Sequence, residues 1–269
     1  MIKNYVLSFF LVINAGLLLG LDSLHLELLD QFCTYKGERT FLLSYPRSGN
    51  TWSRYWLEYL SERPTFHRFN LKDSRNHPIA WSAGFEINPM LPPIEKVHTQ
   101  KEIEKGKGDW ETDKLILIVR NPKEALSRHG GMEITLGVLQ GDSSKGNSDP
   151  RIYFNNIAVY DSWNPEKRLL IFYEDLIEKP IQTMVTVLIF LESSLDKIDS
   201  FITNYKWHKK NAIKIYKESE SKGNDLLYHS KLITPVHRKQ IDAWIAQLYP
   251  YIWHTYLYDR YAEENLIYE

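Results

Sequence analysis

The stretch Arg39–Glu62, RTFLLSYPRSGNTWSRYWLEYLSE, limits what this chain can fold into more than any other part of it. Thr40–Tyr45 is a short apolar run with the length and composition of a buried strand. Pro46 to Asn50 breaks the run with Pro, Ser, Gly and Asn, the residues of a turn. From Thr51 onward Trp52, Tyr55, Trp56, Tyr59 and Leu60 recur at helical spacing, with Arg54, Glu58 and Glu62 between them. Such a strand, tight loop and helix aim the unpaired first-turn amides and the positive helix end at one spot, which suits a phosphate-like anion. Arg47 adds a fixed charge, and Ser48 and Thr51 add hydroxyl donors. The loop is not a Walker A sequence, because it lacks the second Gly and the Lys of GxxxxGK[ST]. By shape alone the segment reads equally as a plain structural turn and as an anion cradle.

Two further strand-to-loop passages follow. Leu115–Val119, LILIV, is a second buried strand that ends in Arg120-Asn121-Pro122-Lys123 and a helical Glu124–His129. An Arg at the carboxyl end of such a strand is well placed for a phosphate, the plain alternative being a salt-bridged surface Arg. Arg168–Tyr173, RLLIFY, is a third strand, and Glu174 and Asp175 after it read as groups that cap or orient the next helix. In Pro92–Thr99, PPIEKVHT, Lys96 and His98 lie two apart and share one face of an extended segment. A neighbouring Lys disfavours the cationic imidazole, so His98 is kept as an acceptor near neutral pH, as a general base requires. Taken bare, a K-x-H pattern reads as ordinary surface.

The chain has 269 residues with 33 basic and 34 acidic side chains, enough for one large domain, and its balanced charge gives no reason to expect a nucleic-acid binder. Cys33 is the only cysteine, which excludes an internal disulfide and argues against a Cys-based zinc site. Tyr5–Leu21 is an apolar run preceded by Lys3 and followed by Asp22, Glu27 and Asp30. As a helix it would reach about 25 Å, slightly short of a hydrocarbon core of about 30 Å. Residues 1–23 therefore read as a signal or an uncleaved N-terminal membrane anchor, with the N-terminus in the cytoplasm. The alternatives are a buried N-terminal helix running on through Leu24, Leu26, Leu28 and Leu29, and a cytoplasmic location.

Arg63–Pro93 reads as an irregular connection with one short helix, where His67 and His77 are solvated or structural and where substrate specificity could be built. Gly130–Pro150 reads as a mobile loop or lid. Helices are expected over Tyr153–Trp163, Ile181–Leu191, Leu195–Asn204, near His208–Lys217, and over His237–Leu248 with Thr234 as N-cap and Pro235 in its first turn. The aromatic tail Tyr249–Tyr268 is expected to pack on the body.

YPRSGNTW resembles the 5′-phosphosulfate loop, YPKSGTTW, of the sulfotransferases that use 3′-phosphoadenosine 5′-phosphosulfate, with Arg for Lys and Asn for the first Thr. VRNPKEALS resembles the family's 3′-phosphate segment VARNPKDVAVSY, and RLLIFYEDLIEKP resembles VLFLFYEDMKENP. Lys96-Val97-His98 stands where the cytosolic members carry K-T-H. The four motifs keep the family's order, and the resemblance spans Arg39 to Leu248.

It implies an α/β, P-loop-like three-layer fold with a central parallel sheet flanked by helices, over residues 35–262. It also implies sulfuryl transfer from that donor to a hydroxyl or amine of a small-molecule, lipid or carbohydrate acceptor, without a metal. His98 would be the base, and Lys96 and Arg47 would contact the transferring group. Arg47, Ser48, Gly49, Asn50, Thr51 and Trp52 would hold the 5′-phosphate, Arg120 and Ser127 the 3′-phosphate, and Tyr173 the adenine. Glu58 is the reserve base. Ser127 lies one position nearer to its arginine than the family's partner serine, and the family's R-K-G element is missing, Lys222-Gly223 being at best a remnant. Two rivals stay open: a catalytically idle nucleotide- or glycan-binding module, and a P-loop kinase or hydrolase. The second would want a Walker lysine and a magnesium carboxylate after the second strand, where Val119 leads to Arg120.

Overall fold

The computed structural model describes residues 23–71, 73, 76–130, 137, 149–216 and 231–266. Five strands form one sheet: β1 Thr40–Ser44, β2 Thr65–Phe66, β3 Ile94–Val97, β4 Lys114–Val119 and β5 Arg168–Phe172. Their order is β2-β3-β1-β4-β5, and every neighbouring pair is parallel. A parallel sheet is covered on both faces, so its strands are near-continuous apolar runs, as TFLLS and KLILIV are. Phe41, Leu43, Leu115, Leu117 and Val119 enter one core, whereas Leu42, Ile116 and Ile118 enter another on the opposite face. The result is the three-layer α/β fold expected from the sequence.

The helices named below are α1 Ser23–Thr34, α2 Asn50–Ser61, α3 Ala80–Ala83, α4 Gln100–Lys105, α5 Pro122–Gly130, α6 Arg151–Ser162, α7 Tyr173–Glu178, α8 Pro180–Phe190, α9 Ile198–Thr203, α10 Tyr205–Tyr216 and α11 Pro235–Leu248. Thr234 caps α11 as expected, its Oγ1 accepting the His237 N–H at 3.2 Å. α1 buries Leu26, Leu29 and Phe32, while Leu24 is exposed. Among the described residues no helix is long and apolar enough to cross a membrane. Residues 1–22 of the segment 1–23 expected to be a signal or an anchor, most of the loop 130–150 and the Lys222-Gly223 region lie outside the described residues.

The connection after α2 departs from the expected irregular loop by adding the edge strand β2. Arg54 and Glu58, which lie between the apolar positions of α2 in the sequence, are fully buried and build it. Arg54 donates to Thr65 Oγ1 at 2.7 Å, to Thr65 O at 3.1 Å and to His77 O at 2.6 Å. Glu58 accepts from the amides of Thr65 (3.2 Å), Ile79 (2.9 Å) and Ala80 (2.7 Å) and from the Thr65 hydroxyl. Burial pushes the Glu58 carboxyl up to about 7, against the pull of Arg54 and these donors. Glu58→Ala would strand several buried amides and the Arg54 charge, so it should cost about 3–5 kcal/mol in urea unfolding. Glu58→Gln, which keeps one acceptor oxygen, should cost clearly less.

The aromatic tail packs on the body as expected. Trp253, Leu257 and Tyr261 are buried, Tyr261 O–H donates to Glu174 at 2.6 Å, and Lys123 Nζ donates to Asp242 at 2.6 Å and to Tyr261 O at 2.7 Å. The tail thereby braces the loops that follow β4 and β5.

Candidate active site

All five strands point their carboxyl ends to one edge. The chain leaves β1 toward β2 and β3 and then crosses to β4 and β5, so the crevice expected at the switch point of such a sheet falls between the ends of β1 and β4. The loop Tyr45–Gly49 sits there. Arg47 (φ 70°) and Gly49 (φ 85°) are both left-handed, which turns the strand sharply into α2. No side chain caps α2. Its first bond is Ser53 N–H to Gly49 O at 2.9 Å, so the amides of Gly49 to Trp52 precede the first intrahelical donor. Ser48 is fully buried and its Oγ has no hydrogen-bond partner among the described residues. A buried hydroxyl without a partner beside uncapped amides is what an anion site leaves when it is read without its anion.

Gly49 is required twice, by its backbone and by its neighbour. A Cβ there would lie 2.2 Å from Tyr173 Cδ2 and 2.5 Å from Cε2, a clash with the ring edge. Gly49→Ala should lower both melting temperature and nucleotide affinity. Gly84→Ala is its control, since Gly84 shares the positive φ (76°) but faces open space. A strain effect common to both variants, about 1–2 kcal/mol, would then be separated from the steric one.

Arg120 follows β4 and spans the crevice. Its Nη1 donates to Arg47 O at 3.0 Å, its guanidinium lies 4.3 Å from the Tyr173 ring centroid, and its Nη2 is 3.6 Å from Glu124 Oε2. Its Nε has no hydrogen-bond partner among the described residues. Tyr173, the first residue of α7, therefore stands between Arg120 and Gly49 and backs the loop from the β5 side. Glu174 and Asp175 do more than start a helix: Glu174 accepts the Asn121 amide at 3.0 Å, and Asp175 holds Arg260 at 2.5 Å.

His98 closes the other side. Its Nδ1 lies 2.8 Å from Ser44 O. A carbonyl only accepts, so Nδ1 carries the proton and Nε2 is the basic nitrogen. The His98 amide donates to Glu102 at 2.5 Å, and the Asn156 side chain donates to His98 O at 3.0 Å. Burial and then the Lys96 ammonium hold the imidazole down to about 4, outweighing the hydrogen bond to Ser44 and the Glu102 carboxylate. Lys96 Nζ donates to Asn76 at 3.1 Å.

Not every expected site residue has a free donor. The Asn50 amide nitrogen is spent on Leu42 O (3.0 Å) and Ser44 Oγ (3.1 Å), so this side chain ties α2 to β1, and its buried Oδ1, which has no hydrogen-bond partner among the described residues, is an acceptor. The Ser127 hydroxyl donates to Lys123 O one turn back in α5, which commits its only proton. Thr51 is partly buried, and the partly buried Trp52 leaves its Nε1 without a hydrogen-bond partner among the described residues. Arg47 is exposed at the loop tip. Glu58 is walled in by α2, β2 and α3, which removes it as a reserve base. Glu102 was missed, although Thr99-x-x-Glu102 is a capping-box pattern: Thr99 Oγ1 accepts the Glu102 amide at 3.3 Å. Among the described residues no group of three or more His, Cys, Asp or Glu is placed to hold a metal ion.

A parallel sheet with a helix start that no side chain caps and a buried arginine at its carboxyl edge is an arrangement that suits an anion. The chain belongs to the sulfotransferase family, since residues 37–251 match the family's sulfotransferase domain. No curated protein sequence matches it. Similar solved structures include a mouse sulfotransferase complexed with PAP, at 16% identity over 82% of this chain and 87% of that chain (TM-score 0.46). Retinol dehydratase in a complex with retinol and PAP shares 13% identity over 82% and 85% (TM-score 0.46). The sulfotransferase domain from the curacin biosynthetic pathway shares 19% over 60% and 76% (TM-score 0.40). These likenesses are distant, and the assignment rests on the family match.

Proposed function

We propose that the protein transfers a sulfuryl group from 3′-phosphoadenosine 5′-phosphosulfate to an acceptor hydroxyl or amine, with His98 as general base. The observation that carries the reading is the His98–Ser44 hydrogen bond. It fixes the basic nitrogen of His98 and ties it to the residue from which the anion loop starts. The donor supplies a sulfuryl group on a 5′-phosphate, so the acceptor O–S or N–S bond forms as the bond from sulfur to the phosphate oxygen breaks. The residues fit that group, because Ser48 Oγ and Arg120 Nε are buried polar atoms with no hydrogen-bond partner among the described residues. The amides of Gly49 to Trp52, with Ser48 and Thr51, would hold the 5′-phosphate. Arg120 would hold the 3′-phosphate, and Tyr173 would hold the base side of the nucleotide. His98 Nε2 would take the acceptor proton. Arg47 and Lys96 would offset charge on the sulfuryl and bridging oxygens.

Calorimetry with 3′-phosphoadenosine 5′-phosphate (PAP) and adenosine 5′-phosphate tests the reading. Micromolar binding that needs the 3′-phosphate supports it. Equal affinity for the two nucleotides would sink it and favour an idle binding module.

A further inference from the structure

His67 was expected to be solvated or structural, and it is not solvated. His77, the other histidine of the same segment, is structural: its Nε2 hydrogen-bonds Leu71 O at 2.7 Å and its own carbonyl accepts from Arg54. His67 is nine-tenths buried, yet neither ring nitrogen has a hydrogen-bond partner among the described residues. Its Nε2 stands 3.6 Å from Glu102 Oε1, beyond hydrogen-bond length. A buried imidazole with both nitrogens unsatisfied costs stability, and such a group calls for a ligand or a water.

Its position says which side of the molecule that ligand would occupy. β2 pairs with β3 so that Phe66 lies opposite Glu95, and the next residue brings His67 level with Lys96. The His67 backbone is still extended (φ −129°, ψ 105°). Its amide is held by Asn76 O at 2.9 Å, and the same Asn76 accepts from Lys96 Nζ. The His67 and His98 rings lie edge to face with centroids 6.1 Å apart. Glu102 links the two, one oxygen accepting the His98 amide and the other facing His67. Two rings at this spacing, each with a hydrogen-bond reach of about 2.8 Å, can engage two oxygens on neighbouring carbons of one molecule. Only one of those oxygens can be the one that His98 deprotonates.

We propose that His67 is a second recognition group for the acceptor, which carries a hydroxyl next to the one that is sulfated. This inference rests on the sulfotransfer reading above. The acceptor is thus a vicinal diol or polyol rather than a simple alcohol or phenol. A neighbouring hydroxyl satisfies a ring nitrogen of His67, and an acceptor without it leaves that nitrogen buried and unpaired. A site built to hydrogen-bond a hydroxyl rejects the analogue that lacks it far more strongly than an apolar pocket rejects an added group.

The test uses matched acceptor pairs: trans-1,2-cyclohexanediol against cyclohexanol, catechol against phenol, and 1,2-octanediol against 1-octanol. Each is titrated calorimetrically into the PAP complex and assayed for sulfation with the full donor. The diol of at least one pair should bind and react at least tenfold better than its partner. His67→Phe should erase that advantage, the diol losing at least tenfold more than its mono-alcohol partner, while PAP affinity stays unchanged. His67→Gln, which keeps one polar atom, should retain part of it. Equal use of diol and mono-alcohol, an equal loss on both in His67→Phe, or no binding of any diol to a protein that binds PAP would overturn the inference, His67 then being satisfied by a buried water. Failure to bind PAP would instead strike at the sulfotransfer reading itself.

Discussion

His98→Ala is expected to lower sulfation turnover by about 10²–10⁴-fold, the range that a positioned general base supplies. PAP affinity should stay unchanged, because the His98 side chain hydrogen-bonds Ser44 O, which precedes the anion loop, and leaves the loop amides alone. That bond is worth about 1 kcal/mol of stability, so a thermal melt run beside the assay separates lost chemistry from lost folding. The pH profile gives an independent reading. The active form is the neutral imidazole, which disappears as pH falls through the His98 pKa of about 4. The acid limb of kcat/KM should therefore lie well below the usual histidine range. Lys96→Met removes the second-largest cause of that depression, so the limb should move up in pH while the maximum rate also falls. Full activity in His98→Ala would place the base elsewhere, and the buried Glu58, with both oxygens engaged, could not be it.

Arg120→Lys should weaken PAP binding by roughly a hundredfold, about 3 kcal/mol, and leave adenosine 5′-phosphate nearly untouched. The reason is geometric. A guanidinium can keep Nη1 on Arg47 O and still offer its remaining N–H groups to a phosphate, whereas an ammonium is one compact donor group. Lysine is the informative change because it keeps a positive charge beside Glu124. Alanine would take the countercharge from a buried carboxylate and free the Arg47 carbonyl, a combined cost of about 3–5 kcal/mol that has nothing to do with nucleotide. Calorimetry with both nucleotides decides the matter. An equal loss on the two would mean that Arg120 only supports the loop.

Much of the site could be read from the chain because local sequence specifies local geometry. The run TFLLS, the turn residues Pro46 to Gly49 and the helical spacing from Thr51 sufficed to place β1, the loop and α2, and LILIV-Arg120 did the same for β4. The two-residue strand β2 carried no such signal. It exists because Arg54 and Glu58 bind its backbone from a helix that precedes it, and charged residues on a helix read as solvent-facing until their partners are known. Glu102 was overlooked although its capping pattern was on the page, because a cap does not reveal that the same carboxylate also reaches the His98 amide.

The sequence by itself determined the family, the strand-loop-helix cradle, and the residue types that meet at the carboxyl edge of the sheet. Those follow from periodicity, turn chemistry and motif wording, which are properties of neighbouring residues. Only the tertiary structure decided which nitrogen of His98 is basic, that Tyr173 fills the space a side chain at Gly49 would need, that the protons of Asn50 and Ser127 are already spent, and that His67 stands beside His98. Hydrogen-bond partners and burial depend on what distant segments bring alongside, and the chain order does not encode that pairing in any local pattern.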